Sequence, residues 1–299
     1  MININEKSSG DKATMARKTK YRIIIFLILE VVLSGIIFAW IDLGGFAEYK
    51  IFAMMWTPAI SAIITSLFTS RPITELGFGL KNSRWLAFGY LGPFLYAIPA
   101  YILVWVFKFG GFYNHNTLYH LASLVGLSSS SPAIILIVSF GYMLTIAFAK
   151  HCFITLGEEI GWRGFLVPEF MKKTNSFTKT ALITGIIWSL WHFPAIIFTD
   201  YNSGASLAFV LPVFTIFLVA GSFAYTWIRM KTNSVWPAMV MHAIHNILVQ
   251  QYLSPLTIRY AHTAYFIDEF GIAMVPFMIL IAYYFFRRRN EVELSNFTS

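Results

Sequence analysis

Charge is what this chain has least of. Only 12% of its 299 residues are Asp, Glu, Lys or Arg, against roughly 25% in a soluble globular chain. Cysteine is almost missing too. Cys152 stands alone, which excludes an intramolecular disulfide, a thiol redox pair and a zinc site built on thiolates. No internal repeat is legible, and no shift of composition marks a second domain.

What is present is apolar. Hydrophobic residues make up 57% of the chain and aromatics 18%, with 29 Phe. This is the composition of a polytopic membrane protein, and the aromatics suit lipid-facing and interfacial positions. A hydrocarbon core about 30 Å thick needs about 20 apolar residues in a helix. Eight stretches qualify: 21–41, 51–70, 85–107, 131–156, 178–198, 207–228, 234–253 and 270–286. The fourth runs too long for a simple span, so it predicts a helix that continues past the membrane or one that breaks near Gly157. Polar residues precede the first run, which has the length of a full span, so the N-terminus does not read as a secretory signal.

The net charge of +8 need not mean a nucleic-acid partner, and none is expected. With eight spans, the basic residues of the two tails and of every second loop fall on one side. The opposite loops hold little beyond Lys50, Lys108 and Arg259. That alternation fits the positive-inside rule with both termini cytoplasmic. The expected organisation is an all-α transmembrane bundle in the cell membrane. A mobile basic tail at 1–20 and a second basic tail at 287–299 flank a single domain at 21–286.

Three polar groups inside or beside the spans need an explanation, because ionisable residues in lipid are costly. The first is Glu158-Glu159-x-x-x-Arg163. Helix neighbours at i and i+4 face each other, so Glu159 and Arg163 can pair. Glu158 is turned about 100° away and must find a partner elsewhere. Gly157, Gly161 and Gly164 flank the group and allow close helix approach. The alternative is three charges at a helix end in contact with water. The second is His192 in "WSLWHFP", where Pro194 lacks an N–H and frees a nearby carbonyl. The third is "HAIHN": His242 and Asn246 share a helix face, and His245 partly shares it. Each histidine alone could be a hydrogen-bonded packing residue. Together the groups supply a base, a polariser and hydrogen-bond donors.

These residues resemble a known family. "EEIGWRG" is similar to the EExxxR signature of the CAAX protease and bacteriocin-processing intramembrane endopeptidases. His192 then matches the histidine of the family's FxxxH motif, and His242–Asn246 matches HxxxN. The three occur in the family's order on separate spans. The resemblance covers about 150–250 and looks like the prokaryotic branch. One position departs: Trp188 stands where the motif has Phe, as a change in the pocket wall.

The resemblance implies an eight-helix intramembrane endopeptidase whose site opens towards the cytoplasm. It also implies roles. Glu158 would activate a water with His192. His242 and Asn246 would form the oxyanion hole, or His242 would help bind a metal. Glu159 and Arg163 would position Glu158, with Trp188 and His245 lining the pocket. No H-E-x-x-H zinc helix is present. Glu158, His192 and His242 could still supply a two-His-one-carboxylate zinc site, and a metal-free mechanism uses the same residues. The partners implied are the bilayer and a peptide or membrane-protein substrate, CAAX-like or bacteriocin-type. Oligomeric state is open. Two other readings share the inventory: an ion- or proton-coupled transporter and a non-catalytic peptide-binding scaffold.

Overall fold

The computed structural model describes residues 4–293 apart from 46, 81 and 82, and describes residues 4–13 by backbone only. The outer parts of the expected tails, 1–3 and 294–299, lie outside the described residues. Helix α1 (Ile4–Gly44) already takes in most of the stretch expected to form the N-terminal tail. Extending an existing helix adds one hydrogen bond per residue fixed, whereas starting one is costly.

The chain is a helical bundle. After α1 come α2 (Glu48–Phe68), α3 (Ser83–Leu91), α4 (Phe94–Val106), α5 (His115–Leu124) and α6 (Pro132–Tyr142). Then follow α7 (Phe148–Glu159), α8 (Val167–Thr174), α9 (Phe177–Phe198) and α10 (Leu207–Thr232). Helices α11 (Trp236–Asn246), α12 (Ser254–Leu256), α13 (Val275–Arg287) and α14 (Asn290–Glu293) complete it. Two two-residue strands, β1 (Gly111–Phe112) and β2 (Thr257–Ile258), pair antiparallel and tie the 107–131 connection to the 254–271 connection.

Among the described residues six helices are long and apolar enough to cross a membrane. They coincide with the first six expected spans. The seventh expected span is helical from Trp236 through a π-helical stretch at Ile247–Leu253. Its histidines, Asn246 and two glutamines lower its hydropathy, because this is the helix that faces the polar site. The eighth, Ile272–Arg287, is apolar but shorter. Large apolar side chains stay exposed along the outer helix faces, such as Val31 at 73% and Ile137 at 71%. In water such surfaces would drive association; in a bilayer they meet lipid. The protein is a multi-pass membrane protein.

The fourth span does not break. Pro132 to Thr174 forms one helical rod of 43 residues, with π-helical stretches at Met143–Ala147 and Ile160–Leu166. Such stretches insert a residue and turn the following side chains, and they recur at functional sites. The rod packs against α2 and α11. Gly157 and Gly161 make this possible: a Cβ on either would strike the α2 backbone at Met55–Trp56 or at Pro58.

Antiparallel spans give the bundle two ends. One, the basic end, is formed by the 69–82 connection, the turns at 174–176 and 233–235, and the segment after Arg287. Here Glu169, fully buried, is surrounded by Arg22 at 3.8 Å, Arg71 at 3.6 Å and Lys172 at 3.2 Å. The other, the loop end, carries the 44–47 turn and the 107–131, 199–206 and 254–271 connections.

Candidate active site

Glu158 ends the third turn of α7, buried at 2% exposure. Its Oε2 accepts the indole N–H of Trp162 at 3.1 Å and that of Trp188 at 2.7 Å. Its Oε1 has no hydrogen-bond partner among the described residues. Trp162 is one helical turn further along, so the rod supplies the first donor itself. Trp188 comes from α9. The residue that departs from the FxxxH pattern is therefore more than a wall, because its ring N–H holds the carboxylate.

Glu159 follows a different course, as the helix-face argument requires. Arg163 Nη1 donates to Glu159 Oε1 at 3.0 Å, and the same oxygen pairs with His242 Nδ1 at 2.9 Å. Both side chains of the ion pair are buried. The Arg163 guanidinium lies between the faces of Trp188, at 3.9 Å, and Tyr225, at 4.1 Å. This stacking suits the weakly hydrated, planar cation. With Nδ1–H given to the carboxylate, the neutral His242 ring keeps its lone pair on Nε2. It can donate to an oxyanion only when both nitrogens carry protons.

His192 sits in the last two turns of α9 and is half-buried. Its Nδ1 donates to the Trp188 carbonyl at 2.8 Å, which again leaves Nε2 as the free acceptor. His245 pairs through Nδ1 with the Tyr96 hydroxyl at 2.9 Å. The Asn246 side-chain amide has no partner among the described residues. Glu158, Trp188, His192, His242, His245 and Asn246 all line one cavity of about 300 Å³. The three motifs thus meet in space: the candidate residues of all three line that cavity or, like Glu159 and Arg163, contact a residue that does.

Two further arginines bond the backbone of the rod just past the site. Arg229 Nε donates to the Arg163 carbonyl at 2.8 Å, and Arg71 Nη2 to the Gly164 carbonyl at 3.2 Å. Both arginines are almost fully buried. One wall of the cavity is acidic and was not foreseen. Glu269, buried in the 254–271 connection, accepts from Tyr201 at 2.9 Å and from Gln250 at 2.6 Å, both through Oε1, and its Oε2 has no partner. Burial, and then the charge of adjacent Asp268, push its carboxyl up to about 7. No periodic pattern marked Glu269, because it lies in an irregular connection.

A zinc site does not fit this arrangement. Among the described residues no three His, Cys, Asp or Glu side chains stand close enough to hold a metal ion.

Fold and site together define a class: a multi-pass helical membrane protein with a carboxylate, two imidazoles and an amide facing a buried cavity. Comparison with known proteins narrows it. Residues 141–248 match the family described as Type II CAAX prenyl endopeptidase Rce1-like. The chain is also 32% identical over 95 residues to CAAX prenyl protease 2 of Methanococcus maripaludis. That alignment covers 30% of this chain and 34% of the archaeal protein, so the chain spans about a third of the length of the curated relative it matches. The family resemblance read from the three motifs is borne out over the segment that carries them.

Proposed function

We propose that this protein is an intramembrane endopeptidase of the CAAX type that uses a glutamate-activated water. The observation that carries the reading is the divided carboxylate of Glu158. One oxygen is held by two indoles, and the other is free in a cavity shared with His192, His242 and Asn246.

Peptide hydrolysis needs a water deprotonated by a positioned base. Glu158 Oε1 takes that proton as the water oxygen attacks the scissile carbonyl. His192 Nε2 accepts the water's second hydrogen as a hydrogen bond and orients it. The tetrahedral oxyanion is stabilised by the Asn246 amide and, when doubly protonated, by His242. One such donor is worth about 10²–10³ in rate. Glu158 then returns its proton to the leaving nitrogen, and the C–N bond breaks. Water is consumed, one carboxyl and one amine terminus appear, and Glu158 is restored. Glu159 and Arg163 act through others, since Glu159 fixes the His242 ring and Arg163 neutralises Glu159. The substrate class proposed is a peptide or membrane-protein segment.

The test is to compare peptide termini in membrane fractions from cells carrying wild type or Glu158→Gln at matched protein levels. Termini found only with wild type are the expected result. Identical sets of termini from the two would overturn the assignment of Glu158.

A further inference from the structure

Glu30 is an ionisable residue within α1, buried at 3% exposure and outside all three motifs. Among the described residues no Lys, Arg or His side chain pairs with it. Such a group is costly between apolar helices, so a helix that only anchored the chain would do better without it. Hydroxyls surround it instead. Ser34, one turn further along α1, donates to Oε1 at 2.7 Å. Thr57 of α2 donates to the same oxygen at 2.7 Å, and Ser61, one turn beyond Thr57, donates to Oε2 at 2.8 Å.

The bonds from Thr57 and Ser61 tie α1 to α2. The bond from Ser34 reaches further. Ser34 Oγ also accepts the indole N–H of Trp191, from α9, at 2.9 Å. An indole nitrogen only donates, so Ser34 accepts from it and keeps its one hydrogen for Glu30. The chain therefore runs in one direction, from Trp191 through Ser34 to Glu30, and each bond strengthens the next. Trp191 lines the cavity. Its ring stands edge-on to that of His192, with centroids 4.7 Å apart, and to that of Trp162, at 5.8 Å. Trp162 is the indole that bonds Glu158 from within the rod. Phe26, one turn before Glu30, also meets Trp162 edge-on, at 5.8 Å. Helix α1 thus touches this donor directly through Phe26 and again through Trp191. If joining α1 to α2 were the whole task of Glu30, Thr57 and Ser61 would suffice.

We propose that Glu30 is a positioning residue for the reaction. Through Ser34 it fixes the Trp191 ring, which holds Trp162 against Glu158 and His192 in its place in the cavity. What the rings position for catalysis rests on the endopeptidase reading; the fixing of the rings does not.

The first measurement uses the full chain in detergent with ¹⁵N in its tryptophan indoles, each N–H resonance assigned by replacing one tryptophan at a time. Ser34→Ala is expected to move the resonances of both Trp191 and Trp162. That of Trp236, which donates to the Phe78 carbonyl, should stay in place. Ser34→Thr, which keeps a hydroxyl, should restore both. A Trp162 resonance that stays put while that of Trp191 moves overturns the proposal. The second measurement is cleavage of the peptide that the wild-type-specific termini identify. Ser34→Ala should lower kcat about 3- to 10-fold, the worth of one neutral hydrogen bond, with KM little changed. Added to Trp191→Phe, it should cost nothing further, because the two act as one unit. Losses that multiply, or a change in KM alone, overturn the proposal. Should Ser34→Ala fail to accumulate, Trp191→Phe decides: a lowered kcat at constant KM is expected, and an unchanged kcat overturns it. A moved Trp162 resonance in a chain without wild-type-specific termini would leave the fixing of the rings standing and count against the endopeptidase reading.

Discussion

Glu158 and Glu159 are chemical twins in sequence and unlike in the folded chain, because one residue of helix turns a side chain through about 100°. That much was readable beforehand, as was the Glu159–Arg163 pair. The bond from Glu159 to His242 was not, since it joins residues 83 positions apart and no local period reports such a contact. The indole donors were half legible: Trp162 stands at i+4 from Glu158, whereas Trp188 reaches it from another helix. Trp188→Phe should therefore lower cleavage on the order of 10- to 100-fold, the worth of one hydrogen bond to a charged group. The melting temperature should change little, because Phe fills most of the same space. Initial cleavage rates and thermal melts in detergent, measured together, check this. Arg163→Ala should behave differently. It leaves a buried carboxylate without its cation, which costs about 3–5 kcal/mol, so the variant should melt well below wild type whatever its activity.

Among the elements, the rod from Pro132 to Thr174 matters most. Its unusual length was visible as an apolar stretch too long for one span, but its continuity was not, because a π-helical stretch leaves no signature in hydrophobic period. The glycines at 157 and 161 were legible as small residues beside charges. Their purpose, contact with the α2 backbone, needed the second helix. Gly161→Leu should push the rod off α2 and destabilise the protein by roughly 1–3 kcal/mol, the usual penalty for overpacking. Gly141→Leu, on the same rod where a Cβ meets only open space, should be close to neutral. Paired melts of the two variants separate contact from helix propensity.

For the whole molecule, hydropathy and loop charge reported the spans and the two unlike ends, since these follow from composition alone. The acidic wall at the loop end adds a dependence on pH. Glu269 is pushed up to about 7 by burial and then by Asp268, from 4.5 in an unfolded chain. Between those values the folded protein holds a proton that the unfolded chain has lost. Stability from this group is therefore full below about 4.5 and falls as pH rises through about 7. Glu269→Gln should raise the melting temperature at pH 8 and give little gain at pH 5. A melt series across that range in one detergent checks it, and an equal gain at both pH values would count against it.

The seating of Arg163 has a consequence for how a charged site can sit among apolar helices. Its guanidinium is clasped between the faces of Trp188 and Tyr225 and shares Glu159 with His242. The cation is thus matched and shielded by the chain itself. The site carries its own counter-charge into the bundle, and no hydration shell has to follow it there.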